Sequence, residues 1–483
     1  MHIAIVHYHL QPGGVTRIIE HTVAALTGSG ISLVVLTGQE PGPGFPAPFK
    51  VIPALRYEAQ RSASTPVDLM EAMKDAARES LGTLPDLWHV HNHSLGKNTI
   101  LPRALHLLAE EGHHLLLHIH DFAEDGRPAN YHMMLEKMAG GSKKEMSQLL
   151  YPAADHVHYG VLNSRDFSFL LDAGAVPECL HLLANPVQLH VEQEDIKPSA
   201  PEQLFLYPTR AIRRKNLGEF LLWSAVTEEG NRFATTMGPE NPRERPRYEQ
   251  WKRFAAELDL PVEFELASRP GNSFVQLLRQ ARGLVTTSVA EGFGLAFLEP
   301  WLAGRPVCGR DLPEITDEFR EQGILLPHLY SRLDVPVQWI GRGRLLDCAV
   351  AGQEKSLAAY GRQPGPNCLD RILAAWITNG NVDFGCLDEE MQQLVIRRLV
   401  RDPQEATLLR PDGLPDPVSC DEPLEINRKI LEQRYSLSGY GARLRTVYDR
   451  IVGSVSTPLD ALDGEQLLNH FLAPERLTLL RVD

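Results

Sequence analysis

Short β-branched or apolar runs alternate with longer stretches of helical spacing along this chain, and the alternation occurs twice. In the first half, Met1 to Val6 predicts a strand, His7 to Pro12 a loop, and Gly13-Gly14-Val15-Thr16-Arg17 the start of a helix running to Leu26. Asp86 to His91 and Leu115 to Asp121 predict two buried strands ending in histidine, and Val161 to Ser164 a strand end followed by a helix over Arg165 to Leu171. In the second half, Leu204 to Arg210 reads as a strand leading to an amphipathic helix from Leu217 to Ala225. Gly283 to Ser288 reads as a buried strand, Leu295 to Ala303 as an apolar helix, and Leu387 to Arg401 as an amphipathic one. Strands alternating with helices in both halves predict two parallel-sheet domains. Glu192 to Gln203, where Glu, Lys, Ser and two prolines replace the apolar pattern, predicts the linker, giving domains over 1–195 and 204–435 and a final helix and tail over 436–483.

Candidate chemistry concentrates where a strand gives way to a helix. Glu291 falls in the loop after the Gly283 strand, and Glu299 about one turn inside the following helix, with Gly292-Phe293-Gly294-Leu295 between them. Both carboxylates can face a crevice at the carboxyl end of a strand, where open α/β sheets bind ligands and where glycines let backbone amides approach a phosphate. A carboxylate accepts hydrogen bonds in pairs, which suits the vicinal hydroxyls of a sugar. Arg210 and Lys215 follow another strand end and can neutralise a leaving diphosphate. Gly13 and Gly14 permit close backbone approach, with a purely structural turn as the alternative; the spacing is not that of a dinucleotide fingerprint. His91 and His120, at strand ends, can donate to a sugar hydroxyl as neutral imidazoles. The alternation of His118 with His120 suggests a metal pair, but no Cys or carboxylate stands at ligand spacing, so no metal is expected.

The ordered set of motifs resembles retaining glycosyltransferases of the GT-B fold, in particular glycosyltransferase family 4. The resemblance rests on Glu291-x7-Glu299 with Ala303-Gly304-Arg305-Pro306-Val307 and Pro313-Glu314-Ile315 after it, on Arg210 with Lys215 five residues later, on Gly13-Gly14, on His120-Asp121, on Asn163-Ser164 and on Asn185-Pro186. It covers roughly residues 1 to 326 and resumes near the carboxyl end, where Tyr435 to Ile451 looks like the family's terminal helix, which crosses back to the first domain. It implies two Rossmann-like domains facing a cleft and transfer of a hexose from a nucleotide-diphosphate sugar, a UDP- or GDP-sugar foremost, to an acceptor hydroxyl with retention and without a required cofactor. In that scheme Glu299 holds the ribose, Arg210 and Lys215 the diphosphate, Glu291 and His120 the hexose, and His91 lies near the acceptor; Gly13, Gly14, Gly292, Phe293, Gly294 and Leu295 line the donor. Three alternatives stay open: a phosphorylase or synthase using phosphate or a free sugar, a nucleotide-sugar epimerase, and a non-catalytic nucleotide-sugar sensor. Residues 327 to 382 depart from the family pattern and leave a lid, an acceptor wall and an oligomer contact open as roles.

Composition narrows the partners. A chain of 483 residues exceeds one core, and 43% apolar with 23% charged residues is the balance of a globular protein in water. No apolar run reaches the ~18 residues of a membrane span, and no signal peptide precedes the first strand, so a cytoplasmic protein is expected. Six cysteines without a Cys-x-x-Cys pair predict free thiols. The formal net charge of −14 disfavours nucleic acid and anionic lipid and points to a soluble acceptor, while homo-oligomers stay open.

Overall fold

The computed structural model describes residues 1–188, 203–411, 413–414 and 421–482. All but the last residue of the expected linker lies outside them. The chain forms two compact units, Met1–Pro186 with Gln433–Phe471, and Val187–Glu432 with Leu472–Asp483.

Unit 1 is built on seven strands: β1 (His2–His7), β2 (Ser32–Thr37), β3 (Phe49–Val51), β4 (Leu87–His91), β5 (Leu115–Ile119), β6 (Val157–Val161) and β7 (Leu180–Leu182). They run parallel in the order β3-β2-β1-β4-β5-β6-β7. The winding reverses between β1 and β4, which opens a crevice at their carboxyl ends. Continuous apolar runs form β4 and β5 because both faces are covered, as parallel sheets require. On one face, Ile18, Ile19, Val23 and Leu26 of α1 (Gly14–Leu26) share a core with Ile3, Ile5 and Leu116 of the sheet. Tyr440, Leu444, Tyr448 and Ile451 of the helix Leu437–Val452 join the same core, so the chain returns to unit 1 as the terminal-helix reading expects.

Unit 2 repeats the plan with β8 (Leu204–Tyr207), β9 (Arg232–Thr235), β10 (Val262–Glu263), β11 (Gly283–Thr286), β12 (Val307–Arg310) and β13 (Leu329–Tyr330), parallel in the order β10-β9-β8-β11-β12-β13. The reversal here falls between β8 and β11. Helix α2 (Leu217–Ala225) differs from the amphipathic reading: every residue from Leu217 to Ser224 is buried, because further helices cover the side away from the sheet. The segment over 327–382 explains much of this cover. Its first strand is β13 itself; beyond it lie a small antiparallel sheet of β14 (Asp334–Pro336), β15 (Ile377–Thr378) and β16 (Asn381–Asp383) and the helices α4 (Arg342–Ala358) and α5 (Cys368–Trp376). Val335, Leu345, Ile372, Trp376 and Val382 belong to the same core as Phe220, Trp223 and Trp251. A segment that shares a close-packed core does not swing as a lid.

Arg310, at the end of β12, ties these layers together. Its guanidinium donates to both oxygens of Glu219 on α2, at 2.7–3.0 Å, and to both oxygens of Asp383 at the end of β16, at 2.8 and 2.9 Å. The Tyr330 hydroxyl donates to Glu219 at 2.7 Å and accepts from the Trp223 indole at 2.6 Å, while the backbone N–H groups of Leu333 and Gly385 donate to Asp383. Burial pushes the Glu219 carboxyl up despite the pairing, whereas for Asp383 the nearby guanidinium and the amide bonds overcome burial and hold it below the usual range. Removing one partner from such a buried set strands charges without water. Arg310→Met is therefore expected to destabilise unit 2 by about 3–5 kcal/mol, read as a lowered urea midpoint; an unchanged midpoint would show that the network contributes no cohesion.

Candidate functional site

At the reversal of the second sheet, the loop after β8 and the loop after β11 are stitched together. The Tyr207 hydroxyl donates to the Lys215 carbonyl at 2.8 Å and lies 3.1 Å from the Ser288 hydroxyl. The Thr287 hydroxyl stands 3.0 Å from the carbonyls of both Lys215 and Asn216, and the Val289 N–H donates to the Arg214 carbonyl at 2.9 Å. This backbone framework brings the Lys215 ammonium onto Glu291 Oε1 in a close ion pair, while Arg214 donates to the Ala290 carbonyl at 2.6 Å and to Glu291 Oε2 at 3.4 Å. Burial alone would raise the Glu291 pKa, but Lys215, Arg214 and a hydrogen bond from Ser288 outweigh it and hold the carboxylate below its ordinary value. An ionised, buried acceptor thus sits beside two cations at the carboxyl end of the sheet.

Sequence spacing singled out Lys215 and Glu291, and the structure brings these two together. Arg214 was missed, although it is the middle of the basic run that identified Lys215. Arg210 stands apart: it is exposed and pairs with Glu240 at 2.9 Å, a solvated contact of little strength. Arg213 serves the scaffold instead, with its side chain on both oxygens of Glu389 at 2.6 and 2.8 Å and on the carbonyl of Val482 from the chain's last described residues. That tail is itself anchored, since the Trp376 indole donates to the Leu477 carbonyl and the Thr478 hydroxyl to the Gly385 carbonyl, each at 2.8 Å.

The expected helix from Leu295 to Ala303 is broken. A 3-10 turn covers Leu295–Phe297, and α3 (Glu299–Leu302) begins afresh, so Glu299 is the first helical residue rather than one turn inside. A half-buried carboxylate at this position meets the positive end of the helix. Gly294 is required by the fold, because its φ of +87° is left-handed and a Cβ would meet Ile315 at 2.8 Å. Phe293 turns inward, edge-on to Phe319 at 5.7 Å, and leaves only its backbone for a ligand. Gly13 and Gly14 are the opposite case: both are exposed in ordinary conformations, and a Cβ would meet only Gln11 O at 3.7 Å at the first and nothing at the second. The fold does not need glycine there, so a structural turn does not account for the pair. Gly13 caps α1 without a side-chain hydrogen bond.

In unit 1, His120 is buried near the end of β5, and burial lowers its pKa to about 4, with Asp121 opposing, so the imidazole is neutral at neutral pH. Asn92, which spacing did not reveal, adopts a left-handed φ of 55° and accepts from the backbone N–H groups of His120 and Asp121 at 2.7 and 3.1 Å. His91 is wholly buried, with Nδ1 2.9 Å from His120 Nε2, so it does not open to solvent itself. Four residues beyond His120, burial pushes the Glu124 carboxyl up to about 7 although Tyr151 donates to it at 2.9 Å. The folded chain therefore holds this proton more tightly than the unfolded one, and stability is full below the unfolded value of about 4.3 and falls as pH rises through 7. Glu124→Gln is expected to flatten the pH dependence of the melting temperature and to exceed wild type at pH 8 by up to about 3 kcal/mol; parallel profiles would refute the raised value.

No family model matches the chain. Mannosylglucosyl-3-phosphoglycerate synthase of Petrotoga mobilis is 24% identical over 340 residues, which make up 65% of this chain and 65% of that relative, so the match spans less than two thirds of the relative's length. Among solved structures, a glycosyltransferase from Rickettsia africae superposes with a TM-score of 0.51 at 12% identity, covering 94% of this chain and 98% of that one. HepE of Anabaena in complex with UDP does so with a TM-score of 0.50 at 13% identity, covering 92% and 99%. With its two doubly wound parallel sheets, the chain has the GT-B fold, and glycosyltransferases are the proteins it resembles.

Proposed function

We propose that this protein is a hexosyltransferase that moves a sugar from a nucleoside-diphosphate donor to a hydroxyl of a small soluble acceptor with retention of configuration. The buried Glu291 carboxylate, held ionised by Lys215 and Arg214 with Glu299 eight residues on, is the observation that carries this reading. Lys215 and Arg214 stabilise the charge that develops on the leaving diphosphate, and Arg210, held by an exposed pair with Glu240, joins them when the donor arrives. Glu291 accepts from hexose hydroxyls and Glu299 from the ribose. Retention proceeds by attack on the face from which the diphosphate departs, with its oxygen taking the acceptor's proton; the fixed cations do the electrostatic work without a metal in the reaction. The name of the Petrotoga relative's product supports a small phosphorylated acceptor, and the acidic surface balance supports a cytoplasmic rather than membrane-bound reaction.

A thermal-shift screen of UDP-, GDP- and ADP-sugars tests the donor site. A sugar nucleotide at about 100 times its Kd stabilises the fold by about 2.7 kcal/mol, and the rise is expected with one base only and to vanish in Glu299→Ala. In turnover, Lys215→Met is expected to lower kcat roughly 10²–10³-fold, and the anomeric signal of the product to match that of the donor. Absence of any shift with all three nucleotides would sink the transferase reading, and turnover of donor without acceptor would replace it with an epimerase.

A further inference from the structure

β4 and β5 run side by side with His91 opposite His118, and residues two apart on a strand share a face, so His89, His91, His118 and His120 line one face of the first sheet. Their rings are in contact: the centroids of His89 and His91 lie 4.3 Å apart, those of His91 and His118 5.0 Å, and those of His89 and His118 5.3 Å. One nitrogen from each of His89, His91 and His118 lies within 4.8 Å of the other two, and all three residues are buried. His89 Nε2 and His118 Nδ1 are 3.1 Å apart, close to the edge of about 3.3 Å that zinc–nitrogen bonds of 2.0–2.1 Å subtend in a tetrahedron. His91 Nε2 is buried with no hydrogen-bond partner among the described residues, a costly state for an imidazole lone pair or N–H.

The surroundings of His89 and His91 match those of metal-ligating histidines, whose second nitrogen is normally held by another group. His89 Nδ1 lies 2.8 Å from the Tyr448 hydroxyl on the returning helix, and His91 Nδ1 2.9 Å from His120 Nε2. With no carboxylate or carbonyl among the three, the set suits neither magnesium nor calcium; imidazoles alone suit zinc and its neighbours. We propose that His89, His91 and His118 form a site for one divalent transition-metal ion of the zinc class, bound within unit 1. The expectation that no metal binds considered only carboxylate and cysteine partners near His118; the missing ligands come from the adjacent strand. The site is independent of the donor residues in unit 2.

The test uses the full chain without a polyhistidine tag, stripped with a chelator, dialysed and titrated with Zn²⁺ by calorimetry, with metal content measured after gel filtration. One zinc per chain is expected, together with the visible absorption of a tetrahedral Co²⁺ complex. Affinity should fall at least about tenfold in His118→Asn and in His91→Asn, and about tenfold in Tyr448→Phe, which keeps all three imidazoles and removes only the support of His89. His158→Asn, which breaks a separate stacked pair with His181 at 2.8 Å, should leave binding unchanged. Failure of the wild-type chain to take up one equivalent overturns the proposal, whatever the variants do. So does zinc binding that is undiminished in Tyr448→Phe and in whichever histidine variant folds, or binding that is lost with His158.

Discussion

The buried guanidinium of Arg310 is the constraint on which unit 2 depends. It is 4% exposed and is shared between two carboxylates, Glu219 and Asp383. From Glu219 the order passes outward. The Asn216 side-chain amide donates to Glu219 at 2.7 Å and accepts from Gln392 at 2.8 Å, which fixes Asn216 in a left-handed conformation directly after Lys215. Lys215 then holds Glu291. A charge cluster that stabilises developing charge works best when it is rigid before a ligand arrives, because reorganisation at the moment of reaction forfeits much of its effect. The Arg310 network supplies that rigidity from beneath.

The same reasoning explains why the segment over 327–382 departs from the family pattern without being an appendage. Asp383 closes the Arg310 network from its far end, and the apolar side chains of α4 and α5 complete a core that α2 and the sheet would otherwise expose. Arg213 extends the support sideways by joining Glu389 on α6 (Glu389–Arg401) to the chain's last described residues.

Much of this was legible in the sequence wherever the signal was local. β-branched runs and helical periodicity located β1, β4, β5, β8 and β11, and the loop containing Glu291, because each is set by residues within a few positions. What escaped was non-local. Arg310 and Glu219 are 91 residues apart and Arg310 and Asp383 73, with nothing in their neighbours to mark them. The three facing imidazoles are adjacent only through strand pairing, which spacing within one strand cannot reveal. The helix over 295–303 was misread because its composition is helical throughout, whereas Leu298 ends the 3-10 turn and caps a fresh start at Glu299. For α2, the polar residue within the helical pattern is Glu219, which is buried and paired with Arg310 of β12.

The chain passes between the units three times, after Pro186, after Glu432 and after Phe471. No single cut of the chain therefore yields unit 2 by itself, since a piece ending at Glu432 lacks the residues that reach Arg213 and one running on to them carries Gln433–Phe471 of unit 1. During synthesis the consequence is one of order. The loop bearing Arg213 is made 269 residues before Val482, so its side chain meets Glu389 first and the Val482 carbonyl only later. The support of the loop that carries Arg214 and Lys215 is thereby assembled in stages.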